Sequence, residues 1–183
     1  MFVRFTFLYG DKMDTILQKA VELGVTDFQP LSTRKSVVRL TEERAERRLS
    51  HWRQVAIAAC EQCGRNRIPT LSDVEEIGEW VTRETTGARF VLAPNAAKAL
   101  ADLTDPPDRV TLLVGPEGGF ADEELKLTLD SGYTPIRLGP RILRTETAGM
   151  AALAAIQMLW GDFKKVHNKR RCRFFGALTT EGG

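Results

Sequence analysis

One segment of the chain constrains its fold more than any other. Residues 110–114 read VTLLV and carry no charged side chain, which is typical of a strand covered on both faces in a parallel sheet. The glycine-dense loop GPEGGF follows directly, and then residues 121–131, whose acid-rich start is typical of a helix N-terminus. A strand, a glycine loop and a helix in this order predict an α/β fold with this strand in the middle of the sheet.

The remainder of the chain continues the alternation of strands and helices. Strands are predicted at 3–9, at 27–30 with a stop or bend at Pro30, at 89–93 and at 135–138. Helices are predicted at 13–23 with Gly24 as the C-terminal cap, and at 41–63, 74–82, 121–131 and 149–159. Ligands bind beyond the carboxyl ends of parallel strands. We therefore expect the site in the loops 93–95, 115–120 and 139–148.

Length and composition limit the class of protein. A chain of 183 residues with 43% hydrophobic and 27% charged residues fits one ordered globular domain. It contains no apolar run of the roughly 18 residues that a membrane span needs, and its start lacks the pattern of a secretory signal. Three cysteines are an odd number, which argues against a secreted disulfide framework, so we expect a cytoplasmic protein.

Two cysteines form a C-x-x-C pair, Cys60 and Cys63. This spacing can hold half of a zinc site or a redox pair, but the chain has no second pair and no histidine nearby. We favour the simpler interpretation, in which Cys60 packs on an apolar helix face. We expect no metal.

The glycine-dense loop GPEGGF lets a ligand approach the main chain closely. It matches neither the phosphate-binding loop nor the dinucleotide fingerprint, and a tight turn without a ligand is the alternative. The later segment LGPRILRTETA places two arginines and a glutamate beside an apolar helix, which is costly unless these charges bind or pair. Alternatively, Thr145 or Thr147 caps the helix and the arginines pair with carboxylates.

Four segments together resemble a known family. The segments VGPEGGF (114–120) and LGPRILRTETA (138–148) strongly resemble the two signature motifs of the RsmE family of 16S ribosomal RNA (uridine-N3) methyltransferases, in the SPOUT superfamily. The segments GDKMDTILQKAVELGV (10–25) and CEQCGRNRIP (60–69) are similar to further parts of that family. The resemblance implies a parallel sheet flanked by helices with a C-terminal deep trefoil knot.

The same resemblance implies the activity and its residues. S-adenosylmethionine would bind in the knot and its methyl group would pass to N3 of a uridine in 16S ribosomal RNA of the small ribosomal subunit. The donor-binding residues carried over are Leu92, Ala93, Pro94, Gly115, Pro116, Glu117, Gly118, Gly119, Leu138, Gly139, Ile142, Leu143 and Thr147. Arg144, then Arg141, would stabilise the uridinate oxygen or grip a phosphate. Glu146 would act as the general base or orient an arginine.

The resemblance also implies an assembly and a domain organisation. The family works as a homodimer, and the apolar helix at 149–159 is the candidate surface, with core packing as the alternative. Residues 1–163 would form the methyltransferase domain, without the PUA-like RNA-binding barrel that precedes it in the family. The basic segment 164–183 would either contact RNA or be a solvated, disordered end.

Two other functions stay open at this point. One is a SPOUT methyltransferase that modifies a ribose 2′-hydroxyl of RNA. The other is a non-catalytic RNA-binding or ribosome-assembly protein that keeps the knot as a scaffold.

Overall fold

The computed structural model describes residues 2–8, 12–32, 42–83, 86–116 and 118–164. Glu117 and residues 165–183, which hold nearly all of the basic segment, lie outside the described residues. The strands are β1 (Phe2–Leu8), β2 (Asp27–Ser32), β3 (Thr70–Leu71), β4 (Glu75–Glu76), β5 (Ala88–Leu92), β6 (Arg109–Val114) and β7 (Thr134–Ile136). The helices are α1 (Met13–Glu22), α2 (Glu42–Cys63), α3 (Ile77–Val81), α4 (Asp122–Asp130) and α5 (Thr145–Leu159), with a 3-10 turn at Leu100–Asp102.

The described strands form one sheet in the order β3-β2-β1-β6-β5-β7, and β4 also pairs with β2. All of their pairings are parallel. β6 lies between β1 and β5, with Leu112 opposite Phe5 on one side and Phe90 on the other. The prediction of a central VTLLV strand is therefore confirmed.

Both faces of the sheet are covered by helices. Val110, Leu112 and Val114 of β6 belong to one apolar cluster, which also contains buried residues of α1, α2 and α5. Leu113 points to the opposite face and belongs to a second cluster with residues of α3. Successive side chains of a strand alternate between faces, so the part of β6 that is buried on both sides carries no charged side chain, and its one polar residue, Thr111, is also buried. The predicted parallel sheet flanked by helices is confirmed.

The end of α1 also follows the sequence prediction. Gly24 has a φ of +86°, its N–H donates to the carbonyl oxygen of Val21, and the N–H of Val25 donates to that of Ala20. This is the Schellman arrangement, in which a left-handed glycine satisfies the last carbonyl groups of a helix. Arg65 adds hydrogen bonds to the carbonyl oxygens of Val21, at 2.7 Å, and Val25, at 2.9 Å, and so ties the end of α2 to this cap.

Two predictions in the first half of the chain were wrong. Of the stop or bend predicted at Pro30, the stop is wrong, because β2 continues to Ser32. Pro30 is tolerated because it falls between the part of β2 that pairs with β3 and the part that pairs with β4, where a missing N–H costs least. The predicted helix at 74–82 is only Ile77–Val81, because the preceding residues form β4.

The last helix begins earlier than the sequence predicted. α5 starts at Thr145 rather than at Gly149, so the loop expected at 139–148 ends at Arg144. Arg144 is the N-cap residue and makes no side-chain capping bond, so neither threonine caps the helix. The polar first turn lacks the apolar periodicity from which helices are recognised.

Candidate functional site

The carboxyl ends of β6, β5 and β7 lie side by side, and a cavity of about 370 Å³ opens above them. Of the residues predicted from the sequence, it is lined by Leu92, Ala93, Pro94, Gly115, Pro116, Gly119, Leu138, Gly139, Arg141, Ile142 and Leu143. The lining also includes Asn95, Phe120, Thr145 and Ala148, which lie in the predicted loops but were not assigned to the donor site, and Val114, Leu125, Ile136 and Arg137, which lie outside those loops. The three predicted loops therefore meet at one cavity.

Arg137 holds the first of these loops in place. Its backbone N–H donates to the carbonyl oxygen of Lys98 at 2.9 Å, and its own carbonyl oxygen accepts from Leu100 at 3.0 Å. Its guanidinium donates to the carbonyl oxygens of Ala96, at 3.1 Å, and Ala97. These bonds join the segment after β5 to the end of β7. The only sequence signal for Arg137 is its position directly before the LGPR motif.

The second loop owes its shape to glycine. A Cβ atom on Gly115 would lie 2.8 Å from the Phe120 ring, so only glycine lets this ring pack against the start of the loop. Gly119 has a φ of +75° and donates its N–H to the carbonyl oxygen of Pro116 at 3.0 Å. Phe120 thereby becomes an aromatic wall of the cavity.

The third loop presents backbone and an apolar side chain to the cavity. Gly139 has a φ of +113°, and among the described residues no heavy atom apart from those of its two chain neighbours lies within 4 Å of the position of a Cβ atom there. Ile142 is 84% exposed although it lines the cavity. An exposed isoleucine beside an open glycine suits a loop that contacts a ligand.

Charged residues cluster where the third loop enters α5. Glu146, in the first turn of the helix, accepts a hydrogen bond from Lys12 Nζ at 2.6 Å. This bond, the helix backbone and the nearby charge of Arg144 hold the pKa of the Glu146 carboxyl below its ordinary value. Glu146 is therefore ionised at neutral pH. Lys12 was not recognised as a site residue from the sequence, because it lies 134 positions away from Glu146.

The predicted residues do not all reach the cavity wall. Arg141 lines the cavity, whereas Arg144 and Glu146 lie at its edge, on or beside α5. Gly118 and Thr147 are exposed and do not line it.

The C-x-x-C pair is built into the helix rather than into a site. Cys60 is buried in the apolar cluster, as predicted, and its thiol lies 3.7 Å from the carbonyl oxygen of Arg67. Burial raises the pKa of the Cys60 thiol, so it stays protonated. In the part of the chain that the structure describes, no group of His, Cys, Asp and Glu residues could hold a metal ion, and no helix is long and apolar enough to cross a membrane.

Comparison with known proteins places the chain among enzymes that modify RNA. The family model of an RNA methyltransferase domain matches residues 2–157. Ribosomal RNA small subunit methyltransferase E of Buchnera aphidicola subsp. Schizaphis graminum is 39% identical over 154 residues, which cover 84% of this chain and 63% of that protein. The corresponding protein of Buchnera aphidicola subsp. Acyrthosiphon pisum is 34% identical over 85% of this chain and 62% of its own length. The chain thus spans just under two thirds of these curated relatives.

Solved structures agree with this placement. Ribosomal RNA small subunit methyltransferase E from Neisseria gonorrhoeae, bound to S-adenosyl methionine, superposes with a TM-score of 0.79 at 38% identity, covering 89% of this chain and 68% of that one. A Legionella pneumophila protein in complex with the cofactor SAM has the same TM-score and identity, covering 86% and 66%.

Proposed function

Because the chain belongs to the RNA methyltransferase family and, within it, to the ribosomal RNA small subunit methyltransferase E (RsmE) group, we propose that it methylates N3 of a uridine in 16S ribosomal RNA. The methyl donor in this proposal is S-adenosylmethionine. The observation that supports this proposed function most strongly is that three loops line a single cavity at the carboxyl ends of adjacent parallel strands, although these loops are far apart in sequence.

The cavity fits the proposed donor in size and chemistry. Its volume of about 370 Å³ lies in the range of ligand pockets, roughly 300–1,000 Å³. Aliphatic side chains and Phe120 offer an apolar surface for an adenine ring, and the turns at Gly119 and Gly139 leave backbone groups open to polar atoms. When bound, the donor supplies an electrophilic methyl group on a positively charged sulfur. Two similar structures hold this donor.

The protein's part in the reaction is to position the uridine and stabilise negative charge. N3 of uracil must lose its proton before or as it accepts the methyl group. Arg141 on the cavity wall and Arg144 at the start of α5 are permanently charged donors that would stabilise a developing uridinate oxygen or hold a phosphate. Alignment of the two reactants in a site shielded from water would supply much of the acceleration.

We propose in addition that this chain forms the deep trefoil knot of SPOUT proteins. β7 lies at the edge of the sheet beyond β5, whereas Gly149 of α5 is packed close to Phe5 of β1 and Val114 of β6. Residues 137–144 therefore run back across the carboxyl ends of β5 and β6. The hydrogen bonds of Arg137 to the segment 96–100 pin these two loops together. A chain that returns through a neighbouring loop at this point would form the knot.

We propose further that the protein is a homodimer joined through α5. The inner face of α5 is buried in its own core, but Met158 on the outer face is 54% exposed, and the alanines at 151, 154 and 155 are only partly covered. Burial of such an apolar helix face against a partner removes it from water, which favours association. Residues 1–163 would form the methyltransferase domain, and the ribosomal substrate would place the protein in the cytoplasm.

The proposed reaction is tested by its product. Small ribosomal subunits from cells that lack the gene are incubated with the protein and S-adenosylmethionine, and the digested RNA is analysed by mass spectrometry. We expect N3-methyluridine. A ribose-methylated nucleoside would favour a 2′-hydroxyl methyltransferase instead, and no methylated product would favour a non-catalytic RNA-binding protein.

Replacement of Arg144 separates binding from chemistry. Arg144→Ala should leave the affinity for S-adenosylmethionine nearly unchanged, because Arg144 does not line the cavity, and should lower the methylation rate by about 10²–10³. Arg53→Ala, which removes an exposed arginine on α2, is the control and should keep the full rate. An unchanged rate for Arg144→Ala would remove this residue from the mechanism.

A further inference from the structure

An ion pair joins two segments that are distant in the chain at the edge of the cavity. Lys12 precedes α1 and Glu146 lies in the first turn of α5, and the two side chains meet at 2.6 Å. Their exposed fractions are 50% and 27%. The pair is therefore accessible to a ligand and is not part of the core.

The position of the pair relates it to the cavity. Thr145 and Ala148, on either side of Glu146 in the chain, both line the cavity. They are three residues apart and so share one side of the helix, and Glu146, directly after Thr145 in the chain, lies about 100° further round the helix from it, beside that side rather than on it. The charge of Arg144 is also close enough to affect the Glu146 carboxyl. Lys12, Arg144 and Glu146 thus form a charged cluster at the start of α5, directly beside residues that line the proposed donor site.

Stability gives no sufficient reason for this pair. An exposed ion pair contributes only about 0–1 kcal/mol to folding. The pair Lys19–Glu22 on α1 has a similar length of 2.8 Å and similar exposure, but it joins neighbouring turns of one helix away from the cavity lining. The two pairs are alike in chemistry and differ in location, so they can be compared directly.

We propose that Lys12 and Glu146 read the edge of the target uracil, with Glu146 accepting the N3–H hydrogen bond and Lys12 donating to the adjacent O4. This inference rests on the proposed function and extends it to base recognition. Uracil presents a carbonyl acceptor beside an N–H donor, whereas cytosine presents an amino donor there and an unprotonated N3. A carboxylate next to an ammonium matches the first pattern and opposes the second.

The same two groups can take part in the proton transfer. In the free protein Lys12 keeps the pKa of Glu146 low, which makes this carboxylate a weak base. When the ammonium turns to O4, it stabilises the uridinate and restores basicity to Glu146. The N3 proton then passes to Glu146 as N3 bonds to the methyl carbon. The carbon–sulfur bond of the donor breaks with its electron pair left on sulfur, and Glu146 returns the proton to water.

The test uses four changes in the full chain: Lys12→Met, Glu146→Gln, both together, and Lys12→Arg. Calorimetry gives the affinity for S-adenosylmethionine, and single-turnover methylation of small ribosomal subunits gives the rate at several pH values. The matched control is the double change Lys19→Met and Glu22→Gln, which should keep wild-type affinity and rate.

Lys12→Met and Glu146→Gln should bind S-adenosylmethionine within about twofold of wild type and lose roughly 10²–10⁴ in rate. The double variant should be little slower than the slower single variant, because the two groups act as a unit. The Lys12→Met deficit should shrink as the pH rises, since hydroxide then removes the N3 proton without help. Lys12→Arg should recover part of the rate.

Three results would overturn the inference: wild-type rates in both single variants, a loss of donor affinity as large as the loss of rate, or a Lys12→Met deficit that is equal at every pH. If any one of these results is found and the wild-type chain methylates RNA, only this inference fails. If the wild-type chain methylates no RNA, the proposed function fails and this inference falls with it.

Discussion

Gly119 and Gly139 hold left-handed backbone at the two points where loops turn beside the cavity. A side chain at such a φ costs about 1–3 kcal/mol of strain, so these positions favour glycine whatever the ligand. At Gly139 the space around a Cβ atom is open as far as the structure describes the chain, so packing against the described residues does not explain the turn. Glycine adopts this φ without the strain and leaves the main chain open where a ligand would lie against it.

Gly139→Ala should therefore weaken the binding of S-adenosylmethionine by about tenfold or more. The variant relieves the strain by moving the loop out of its binding position, and roughly 1.4 kcal/mol of binding free energy lost in this way corresponds to a factor of ten. Titration calorimetry measures this. Gly64→Ala is the control: Gly64 has a φ of +72° with open space around it but lies at the end of α2. The Gly64→Ala variant should lose a similar free energy of unfolding and keep its affinity for S-adenosylmethionine. Equal affinities in the two variants would refute a role of the 139 turn in binding.

Single residues of the site were predictable from the sequence only where a motif contains them. Gly115, Gly139 and Arg141 belong to glycine or arginine motifs and line the cavity. Lys12 lies in the family-like segment 10–25, but nothing in that segment marks it as a site residue, because its contact with Glu146 depends on how α1 and α5 are placed in the fold. Long-range ion pairs depend on the tertiary structure, which the sequence does not show directly. A close approach of a ligand to the backbone requires glycine, and glycine can be recognised in the sequence.

At the scale of elements, α5 connects the site to the core. Its first turn borders the cavity, and its last turns carry Gln157, which is only 4% exposed. The Gln157 side chain donates to the carbonyl oxygen of Leu23 at 2.9 Å and accepts from the N–H of Asp162 at 3.3 Å. The one polar residue in the apolar stretch of α5 thus joins its end to the cap of α1.

Gln157→Leu should destabilise the protein by about 1–3 kcal/mol, because it removes both hydrogen bonds of a buried side chain and leaves the partly buried carbonyl group of Leu23 without this partner. The midpoint of urea unfolding measures the change. The control Gln18→Leu alters an exposed position of α1 and should change stability by no more than about 0.5 kcal/mol. Equal midpoints for the two variants would show that the Gln157 bonds contribute nothing to the docking of α5.

At the scale of the whole molecule, the site exists because β6, β5 and β7 are neighbours in a parallel sheet. The alternation of strands and helices predicted the sheet and its ligand-binding edge. It did not predict the strand order, nor the two-residue strands β3 and β4, since two residues are too few to show a period. The order comes from packing on both faces, which a single strand does not reveal.

The assembly is predicted at the same scale. Met158→Lys should prevent dimer formation, because it places a charge in the exposed apolar face of α5. Sedimentation velocity measures the molecular mass in solution. Leu129→Lys is the control: Leu129 on α4 is also partly exposed, at 39%, and this variant should remain dimeric. A wild-type chain that sediments as a monomer would contradict the homodimer.

The claim on which all the others depend is that the cavity beyond β5, β6 and β7 binds S-adenosylmethionine. Calorimetric titration of the full chain with this compound tests the claim directly. We predict saturable binding with one site per chain, which the Gly139→Ala change weakens. A titration without binding heat at any temperature, or binding that Gly139→Ala leaves unchanged, would contradict the claim.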